Sequence, residues 1–150
     1  MVSLQLTSSA LEPGQPIPRR FTADGEDLSP PLTWSAVPPQ TRSLALVCDD
    51  PDAPRGDWVH WVLYNLPGGV RHLEEGKVPA EAVAGINDFR KPGYNGPSPP
   101  AGKPHRYVFH LFALDTTLGL PAGASKAQLL QAIDGHVLGQ GELTATYQRR

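Results

Sequence analysis

Residues 43–66 read SLALVCDDPDAPRGDWVHWVLYNL, two apolar runs joined by an acidic, proline-containing connection. The runs extend from Ser43 to Asp49 and from Trp58 to Leu66, and both are nearly continuous in apolar, β-branched and aromatic residues. Runs of this kind are typical of strands that are covered on both faces. The stretch therefore predicts two buried, consecutive strands with polar residues concentrated in the loop between them.

Other segments carry the same strand patterns. Residues 106–114 (RYVFHLFAL) form a third apolar run, with Tyr107 and Phe109 on one face and Val108 and His110 on the other. Turn-forming proline and glycine separate the runs, as expected for short strands joined by tight loops. Shorter alternating patterns predict three more strands, at residues 2–6, 32–34 and 143–147.

One helix is well specified by its ends. Ser125 can cap it, Gln128 stands at the capping-box position and Gly135 can end it. A second short helix is predicted within residues 79–84. The apolar stripe of the first helix consists of Leu129, Leu130 and Ile133. We predict a mainly β fold in a single domain of residues 1–150, an antiparallel β-sandwich of Greek-key type with one or two short helices.

Composition limits the possible partners. The formal net charge of −2, from 13 Lys and Arg against 15 Asp and Glu, gives no general attraction to nucleic acid or to an anionic membrane. Cys48 is the only cysteine and lies inside an apolar run, which favours a buried, inert thiol. No signal peptide or membrane-spanning segment is visible, and nothing calls for a cofactor. We therefore expect a soluble, cytoplasmic protein without membrane insertion.

Four polar residues fall at strand ends. Asp50 closes one buried strand, and His60 lies two residues into the next, so a hairpin would bring both to one end of the sheet. The loop of residues 93–104 (GYNGPSPPAGKP) leads directly to His105 and Tyr107, which share a strand face. Alternation also places His60 on the face of Trp58, Val62 and Tyr64. The pattern predicts a polar cluster beside rigid loops.

Each of these residues also has a purely structural interpretation. A histidine next to tryptophans is usually a hydrogen-bonded core residue, and this holds for His60 and His105 when each is considered alone. Asp52 before Ala-Pro is a common turn device. We expect His110 only to pack in the core. We expect surface positions for His72, His136, Asp49, Asp57 and the Arg149–Arg150 end.

Anion recognition is the chemistry that the combined cluster could support. Imidazoles near neutral pH can donate hydrogen bonds to phosphate or carboxylate, and Asp50 could orient a ring by accepting its other N–H. Tyr107 adds a phenolic donor. Backbone N–H groups around Gly96, Ser98 and Gly102 could contribute. The residues by themselves thus indicate a pocket for a small anion.

Five blocks of the chain resemble one known family. SPPLTWSAVP, SLALVCDDPDAP, WVHWVLYNLP, GYNGPSPPAGKPHRYVFHLFALD and GHVLGQGELTATYQR occur in this order between residues 21 and 148. They are similar to the phosphatidylethanolamine-binding protein family, in particular its bacterial and archaeal Raf kinase inhibitor-like branch. The resemblance implies a β-sandwich with a small anion pocket at one edge, for phosphate or phosphate-bearing head groups. It also implies a kinase or protease as a possible regulated partner, a possible homodimer and no established catalytic turnover.

The resemblance assigns pocket positions in this sequence. Asp50 and His60 match the aspartate of DPDAP and the histidine of WVHW, and His105 and Tyr107 match HRY. The implied rim and wall residues are Ser98, Pro99, Pro100, Ala53 and Pro54.

Differences from many prokaryotic relatives lie in the same loop. GYNGPSPP replaces GYGGPCPP, so we expect a positive φ at Asn95, and Ser98 removes a thiol. Arg90 and Pro92 stand where glycine and a small polar residue are frequent. These substitutions would alter the mouth of the pocket.

Three functions remain open at this stage. The favoured one is a non-catalytic anion-binding protein. The alternative is a hydrolase in which His60 or His105 acts as general base, Asp50 orients it and Ser98 is the nucleophile. The third is a metal site built from Asp50, His60 and His105, although their spacing matches no standard metal motif.

Overall fold

The computed structural model describes all residues from Met1 to Arg150. Most of the regular structure is strand, with one α-helix and a short 3₁₀ turn at Arg19–Phe21. The strands are β1 Val2–Ser3, β2 Gln5–Thr7, β3 Leu32–Ser35, β4 Ser43–Asp50, β5 Trp58–Pro67, β6 His72–Leu73, β7 Val83–Ala84, β8 His105–Leu114 and β9 Val137–Tyr147, and the helix is α1 Lys126–Ile133.

Two sheets form the sandwich. The larger has six strands in the order β1-β9-β8-β4-β5-β7, and the smaller has three in the order β2-β3-β6. Every pair is antiparallel except β1 with β9, which is parallel. β5 and β8 pair with opposite edges of β4. The segment that connects β5 to β8 therefore passes across the end of β4. The predicted mainly β sandwich is confirmed.

The main core lies between the two sheets. It contains 20 buried residues, among them Trp34 of the small sheet and Trp61 and Phe109 of the large one. Each fully buried aromatic or aliphatic side chain of this kind contributes about 1.5–3 kcal/mol relative to exposure. The Trp34 indole N–H donates to the Val70 carbonyl at 2.9 Å, so its polar atom is also satisfied.

A second core of 11 residues lies on the opposite face of the large sheet, under α1. The predicted capping box is present, because Ser125 Oγ accepts from the Gln128 N–H and Gln128 Oε1 accepts from the Ser125 N–H. Leu129 and Ile133 are buried, whereas Leu130, the third residue of the predicted apolar stripe, is exposed. No helix has the length and apolar character of a membrane span.

The helix predicted within residues 79–84 is wrong. Pro79 to Ala82 form a turn closed by a 3.0 Å backbone hydrogen bond, and Val83–Ala84 form the edge strand β7. β7 pairs with β5 at Leu63 and Tyr64. Without β7, the outer edge of a long buried strand would leave backbone groups unpaired, so pairing outweighs local helix propensity.

The last strand is longer than predicted and begins at Val137 rather than Leu143. Gly139 and Gly141 interrupt its apolar alternation, which hides the first half of the strand in the sequence. A Cβ at Gly141 would lie 2.6 Å from the Leu4 carbonyl oxygen, so glycine here permits the N-terminal segment to pack against the strand.

Candidate ligand-binding site

A cavity of about 510 Å³ opens at the end of the large sheet, where β4 ends and β5 and β8 begin. Fifteen residues line it. All nine predicted positions are among them: Asp50, Ala53, Pro54, His60, Ser98, Pro99, Pro100, His105 and Tyr107. The structure thus brings both predicted halves together, and ligand binding by these residues stays a prediction.

Asp50 and His105 form a buried pair at the inner end of the cavity. His105 Nδ1 lies 2.6 Å from Asp50 Oδ2, and the two residues are 8% and 3% exposed. The other carboxylate oxygen of Asp50 accepts the Asp52 backbone N–H at 2.8 Å. Since Asp50 holds His105 through Nδ1, the remaining nitrogen, Nε2, has no hydrogen-bond partner in the protein.

His60 is anchored through the same ring atom but to a different partner. Its Nδ1 lies 2.6 Å from the Asn95 carbonyl oxygen, and the residue is 2% exposed. Burial lowers the pKa of His60 below its ordinary value, against the opposing effects of the Asn95 carbonyl and the Asp50 charge. Burial therefore favours a neutral ring.

A β-bulge sets the direction of His60. Cys48 pairs with Trp61 and Asp49 with Val59, so His60 is an extra residue without a partner on β4. The prediction that His60 shares a face with Val62 and Tyr64 is therefore wrong, since those two residues belong to the second core.

Aromatic rings enclose His60 in its observed position. Its ring packs edge-on against Tyr107 at 5.2 Å and against Phe89 at 5.3 Å between centroids. Phe89 in turn contacts Trp58 at 5.5 Å, which extends the aromatic wall to the mouth. Sequence reasoning missed Phe89, because a lone aromatic in a loop carries no signal of its position.

Tyr107 carries an uncommitted polar atom at the inner end of the site. The residue is 1% exposed, and its hydroxyl has no hydrogen-bond partner. Burial and the nearby Asp50 carboxylate raise the pKa of Tyr107 far above its ordinary value, so the hydroxyl keeps its proton. A buried donor without a partner costs about 1–3 kcal/mol. The hydroxyl is enclosed beside Asp50 and is not open to the cavity.

The loop of residues 87–95 supports His60 from below. The Asn87 side-chain amide donates to the Gly93 carbonyl at 3.0 Å and to Asn95 Oδ1 at 2.8 Å. Its oxygen accepts the backbone N–H groups of Phe89 and Lys91. Asn87 therefore fixes both the carbonyl that anchors His60 and the ring that packs against it. No local sequence pattern around Asn87 indicates this role.

The positive φ that was expected at Asn95 occurs instead at Arg90, five positions earlier in the same loop. Asn95 has no positive φ, whereas Arg90 in the same loop has φ of 63°. The expectation for Asn95 is thus wrong. Arg90 occupies the position where relatives often have glycine, and glycine adopts this left-handed conformation without strain.

The rim is tied to the C-terminus. Arg149 Nη2 lies 2.7 Å from Asp24 Oδ1 and 3.4 Å from Ser98 Oγ, and the Tyr147 hydroxyl donates to Asp24 Oδ2 at 2.7 Å. The prediction of a solvated surface position for Arg149 therefore missed this ion pair, which leaves the side chain only partly exposed. The reason is a partner 125 positions away along the chain, which local sequence cannot reveal.

Asp49 lies on the opposite face of the large sheet, in a second charged cluster. It is 4% exposed, and its carboxylate pairs with Lys126 at 2.6 Å and with His110 at 3.2 Å. The predictions of a surface Asp49 and a merely packed His110 are wrong. Helix α1 covers this face and brings Lys126 onto it. Glu142 lies 3.3 Å from the other nitrogen of His110.

Negative charge prevails around the cavity. Its lining contains three carboxylates, Asp50, Asp57 and Asp88, and a single guanidinium, Arg55. Asp57 is partly offset by Lys126 at 3.5 Å. The Asp88 carboxylate accepts the Val59 backbone N–H at 2.7 Å, so it fastens the loop to β5.

The positions of the cavity side chains bear on the two alternatives to anion binding, a hydrolase and a metal site. Ser98, the lining residue with a nucleophilic hydroxyl, contacts Arg149 rather than either histidine. Cys48 is fully buried, and burial raises the pKa of its thiol well above its usual value. Asp50, His60 and His105 do not form a group arranged to hold a metal ion.

The two-sheet sandwich with a cavity at one sheet end defines a class of β-sandwich protein with a pocket at the edge of its large sheet. Residues 7–148 match the family model described as "Phosphatidylethanolamine-binding protein", and the chain belongs to this family. A UPF0098 protein of Methanothermobacter thermautotrophicus is 52% identical over 138 residues, covering 89% of this chain and 91% of the relative. A UPF0098 protein of Chlamydia muridarum is 44% identical over 151 residues, with 97% and 99% covered.

Solved structures agree over the whole chain. A putative phosphatidylethanolamine-binding protein homolog from Chlamydia trachomatis superposes with a TM-score of 0.94 at 42% identity, with 100% of both chains covered. E. coli YbcL, described as a new member of the mammalian family, superposes with a TM-score of 0.93 at 33% identity, with 99% of this chain and 100% of that chain covered.

Proposed function

We propose that this protein is a non-catalytic binding protein whose cavity takes phosphate or a small phosphate-bearing group. The observation that carries the proposal is the convergence of two imidazoles on one cavity. His60 and His105 both line it, and each has its Nδ1 committed to the protein while its Nε2 has no hydrogen-bond partner in the protein.

Rigidity supports a binding role. Pro54, Pro99 and Pro100 form part of the wall, and buried hydrogen bonds fix both imidazoles. A pocket that is already ordered loses little conformational entropy when a ligand enters. Its volume of about 510 Å³ lies in the range of small-molecule sites.

The proposal contains no catalytic step, because Ser98 lacks the histidine contact that would activate it. Regulation of a kinase or protease partner is a further part of the proposal, and its support is the family resemblance alone. Ligand binding by the cavity can be tested without knowledge of that partner.

The test is calorimetric titration of the purified protein with inorganic phosphate and with phosphoethanolamine. We expect saturable binding with one site, weakened at least about tenfold in His60→Ala and in His105→Ala, since each removes a hydrogen bond to a charged ligand. His72→Ala is the matched control, because His72 is exposed in β6 outside the cavity. Absence of saturable binding by the wild type would refute the proposal.

A further inference from the structure

Residues 98–104, the rim loop, form one wall of the cavity and have few attachments to the sandwich. Their two ends are fixed, since the Pro97 carbonyl accepts the Ala23 N–H at 3.0 Å and His105 pairs with Tyr147 in the large sheet. The only buried residue between these ends is a proline. The cavity-lining residues of the rim loop are Ser98, Pro99 and Pro100.

Every hydrogen bond of the rim loop is made with Gln148 or Arg149, a two-residue strap that follows β9. The Gly102 N–H donates to the Arg149 carbonyl at 3.0 Å, and the Gln148 side-chain amide donates to the Gly102 carbonyl at 2.7 Å. The Arg149 guanidinium lies 3.4 Å from Ser98 Oγ. Three of the seven rim-loop residues are prolines, which have no N–H to donate. The strap is therefore the only hydrogen-bonded support of this wall.

The strap itself is fastened by one ion pair. Arg149 donates to the Asp24 carboxylate from Nη2 at 2.7 Å and from Nε at 3.3 Å, whereas Gln148 has no hydrogen bond outside the rim loop. The Tyr147 hydroxyl donates to the same carboxylate and holds it in place. Hydrogen bonds from Arg149 and Tyr147 lower the pKa of Asp24, which keeps the carboxylate charged. The side chains of Arg149 and Asp24 are 35% and 27% exposed, so water and salt reach the pair.

These contacts are arranged in series, so loss of the ion pair also affects the rim loop. When Arg149 leaves Asp24, the strap keeps no polar anchor on the sandwich, and the rim loop bonds only to that strap. Hydrogen bonds between two exposed segments without a fixed position compete poorly with water. Segments of this kind open locally while the rest of a protein stays folded.

We infer that the rim loop is a lid on the cavity, which the Arg149–Asp24 ion pair holds closed through the strap. Asp24 is then a positioning residue, since it acts on the cavity wall without lining the cavity. Opening of the lid moves Ser98, Pro99 and Pro100 away and widens the mouth. The effect of the lid on ligand exchange rests on the proposed function, whereas its opening does not.

The first experiment measures solvent exchange of the Gly102 amide by NMR in the ligand-free protein. We expect exchange at least about fivefold faster in Asp24→Asn than in the wild type, because Gly102 loses its fixed acceptor. Glu75→Gln is the matched control, since it weakens the partly exposed Arg20–Glu75 ion pair, which contacts neither the strap nor the rim loop. It should leave Gly102 exchange within about twofold of the wild type. Equal effects of the two variants, or no effect of Asp24→Asn, would overturn the inference.

The second experiment uses salt, which screens a partly exposed ion pair. Raising NaCl from about 0.02 M to about 0.5 M should speed Gly102 exchange at least about twofold more in the wild type than in Asp24→Asn, which has no ion pair left to screen. The comparison removes any effect of salt on the exchange chemistry itself. The same salt response in both proteins would show that the ion pair does not hold the lid.

A double-mutant cycle assigns the effect to the pair. Arg149→Gln keeps the backbone carbonyl that Gly102 uses and removes the guanidinium. If one ion pair closes the lid, Asp24→Asn, Arg149→Gln and the double variant accelerate Gly102 exchange by the same factor. Accelerations that multiply in the double variant would mean that the two side chains act independently, contrary to the inference.

Phosphate exchange tests the lid at the cavity. In Asp24→Asn we expect the association and dissociation rates of inorganic phosphate, measured by ³¹P NMR line shapes, to rise together at least about threefold. The dissociation constant from calorimetry should stay within about twofold, because both directions pass through the open lid. Unchanged rates beside faster Gly102 exchange would overturn the role of the lid in ligand entry. Absence of phosphate binding in the wild type would refute the proposed function, and Gly102 exchange would still decide whether the lid opens.

Discussion

Asp49 and Asp50 are consecutive in the chain and serve opposite faces of the same sheet. Asp50 bonds to His105 at the inner end of the cavity, and Asp49 bonds to Lys126 of α1 on the far side. Both are buried, and each has a cationic or imidazole partner from a distant segment. The end of β4 thus supports a ligand cavity on one face and helix docking on the other.

The contact of Asp49 with α1 predicts a large effect on stability. We expect Asp49→Asn to lower the free energy of unfolding by about 1.5–3 kcal/mol, since a buried charged group loses its hydrogen-bonded partners. Urea denaturation measures the change. Asp57→Asn is the control, because that more exposed carboxylate lies 3.5 Å from the same lysine and should change stability by less than about 1 kcal/mol. Equal effects of the two variants would contradict this account.

Asp52 predicts a specific pH dependence. Arg106 holds it through two side-chain hydrogen bonds and one from its backbone N–H, which lower the pKa of Asp52 to about 2 from an ordinary value of 3.8. Because the folded-state pKa is depressed, the contribution to stability is complete above about pH 4 and is lost as pH falls toward about 2.

In Asp52→Asn the free energy of unfolding should depend less steeply on pH within this window. Urea denaturation at a series of pH values measures the slope. Glu74→Gln, which alters an exposed ion pair with Lys77, should leave the wild-type slope unchanged. An unchanged slope in Asp52→Asn would show that Arg106 does not act on the carboxylate in this way.

Tyr107→Phe tests the role of an enclosed hydroxyl. The hydroxyl is buried without a partner, so its removal should leave the free energy of unfolding unchanged or raise it by about 1 kcal/mol. Phosphate affinity should change by less than about threefold, since the enclosed hydroxyl is not open to the cavity. Denaturation and calorimetry on one preparation test both. A destabilised variant, or one with phosphate affinity reduced about tenfold, would contradict this account.

Asn87 should act on the cavity without lining it. We expect Asn87→Ala to weaken phosphate binding and to lower the free energy of unfolding by about 1–3 kcal/mol, because four buried hydrogen bonds of its side chain disappear. Lys91→Ala is the control, since Asn87 holds Lys91 through the backbone N–H alone. Calorimetry and urea denaturation give the two readouts. Wild-type behaviour of Asn87→Ala would refute the positioning role.

Strand periodicity accounts for most of what could be predicted. Long apolar runs placed β4, β5 and β8 nearly to the residue, and their ends placed Asp50 beside His105. The residue types at Ser125 and Gln128 were also enough to predict the capping box of α1. These features depend on neighbours within a few residues or on simple alternation.

The errors share a different cause. Arg149 meets Asp24 across the length of the chain, and Asp49 is buried by a helix that follows it by some 77 positions. The Pro79–Ala84 segment is captured by the edge of β5. Each outcome depends on which segments meet in the tertiary structure. Neither the type of a residue nor the hydrophobic periodicity around it encodes that information.

The bulge opposite Cys48 has a consequence for how this cavity can be altered in evolution. Removing one residue next to His60, such as Val59, would let the ladder close without an unpaired position, and the His60 ring would lose its direction although His60 itself remained. Point substitutions do not change the number of residues in the bulge. A change in chain length by a single residue is therefore a more direct way to abolish the site than most changes of residue type.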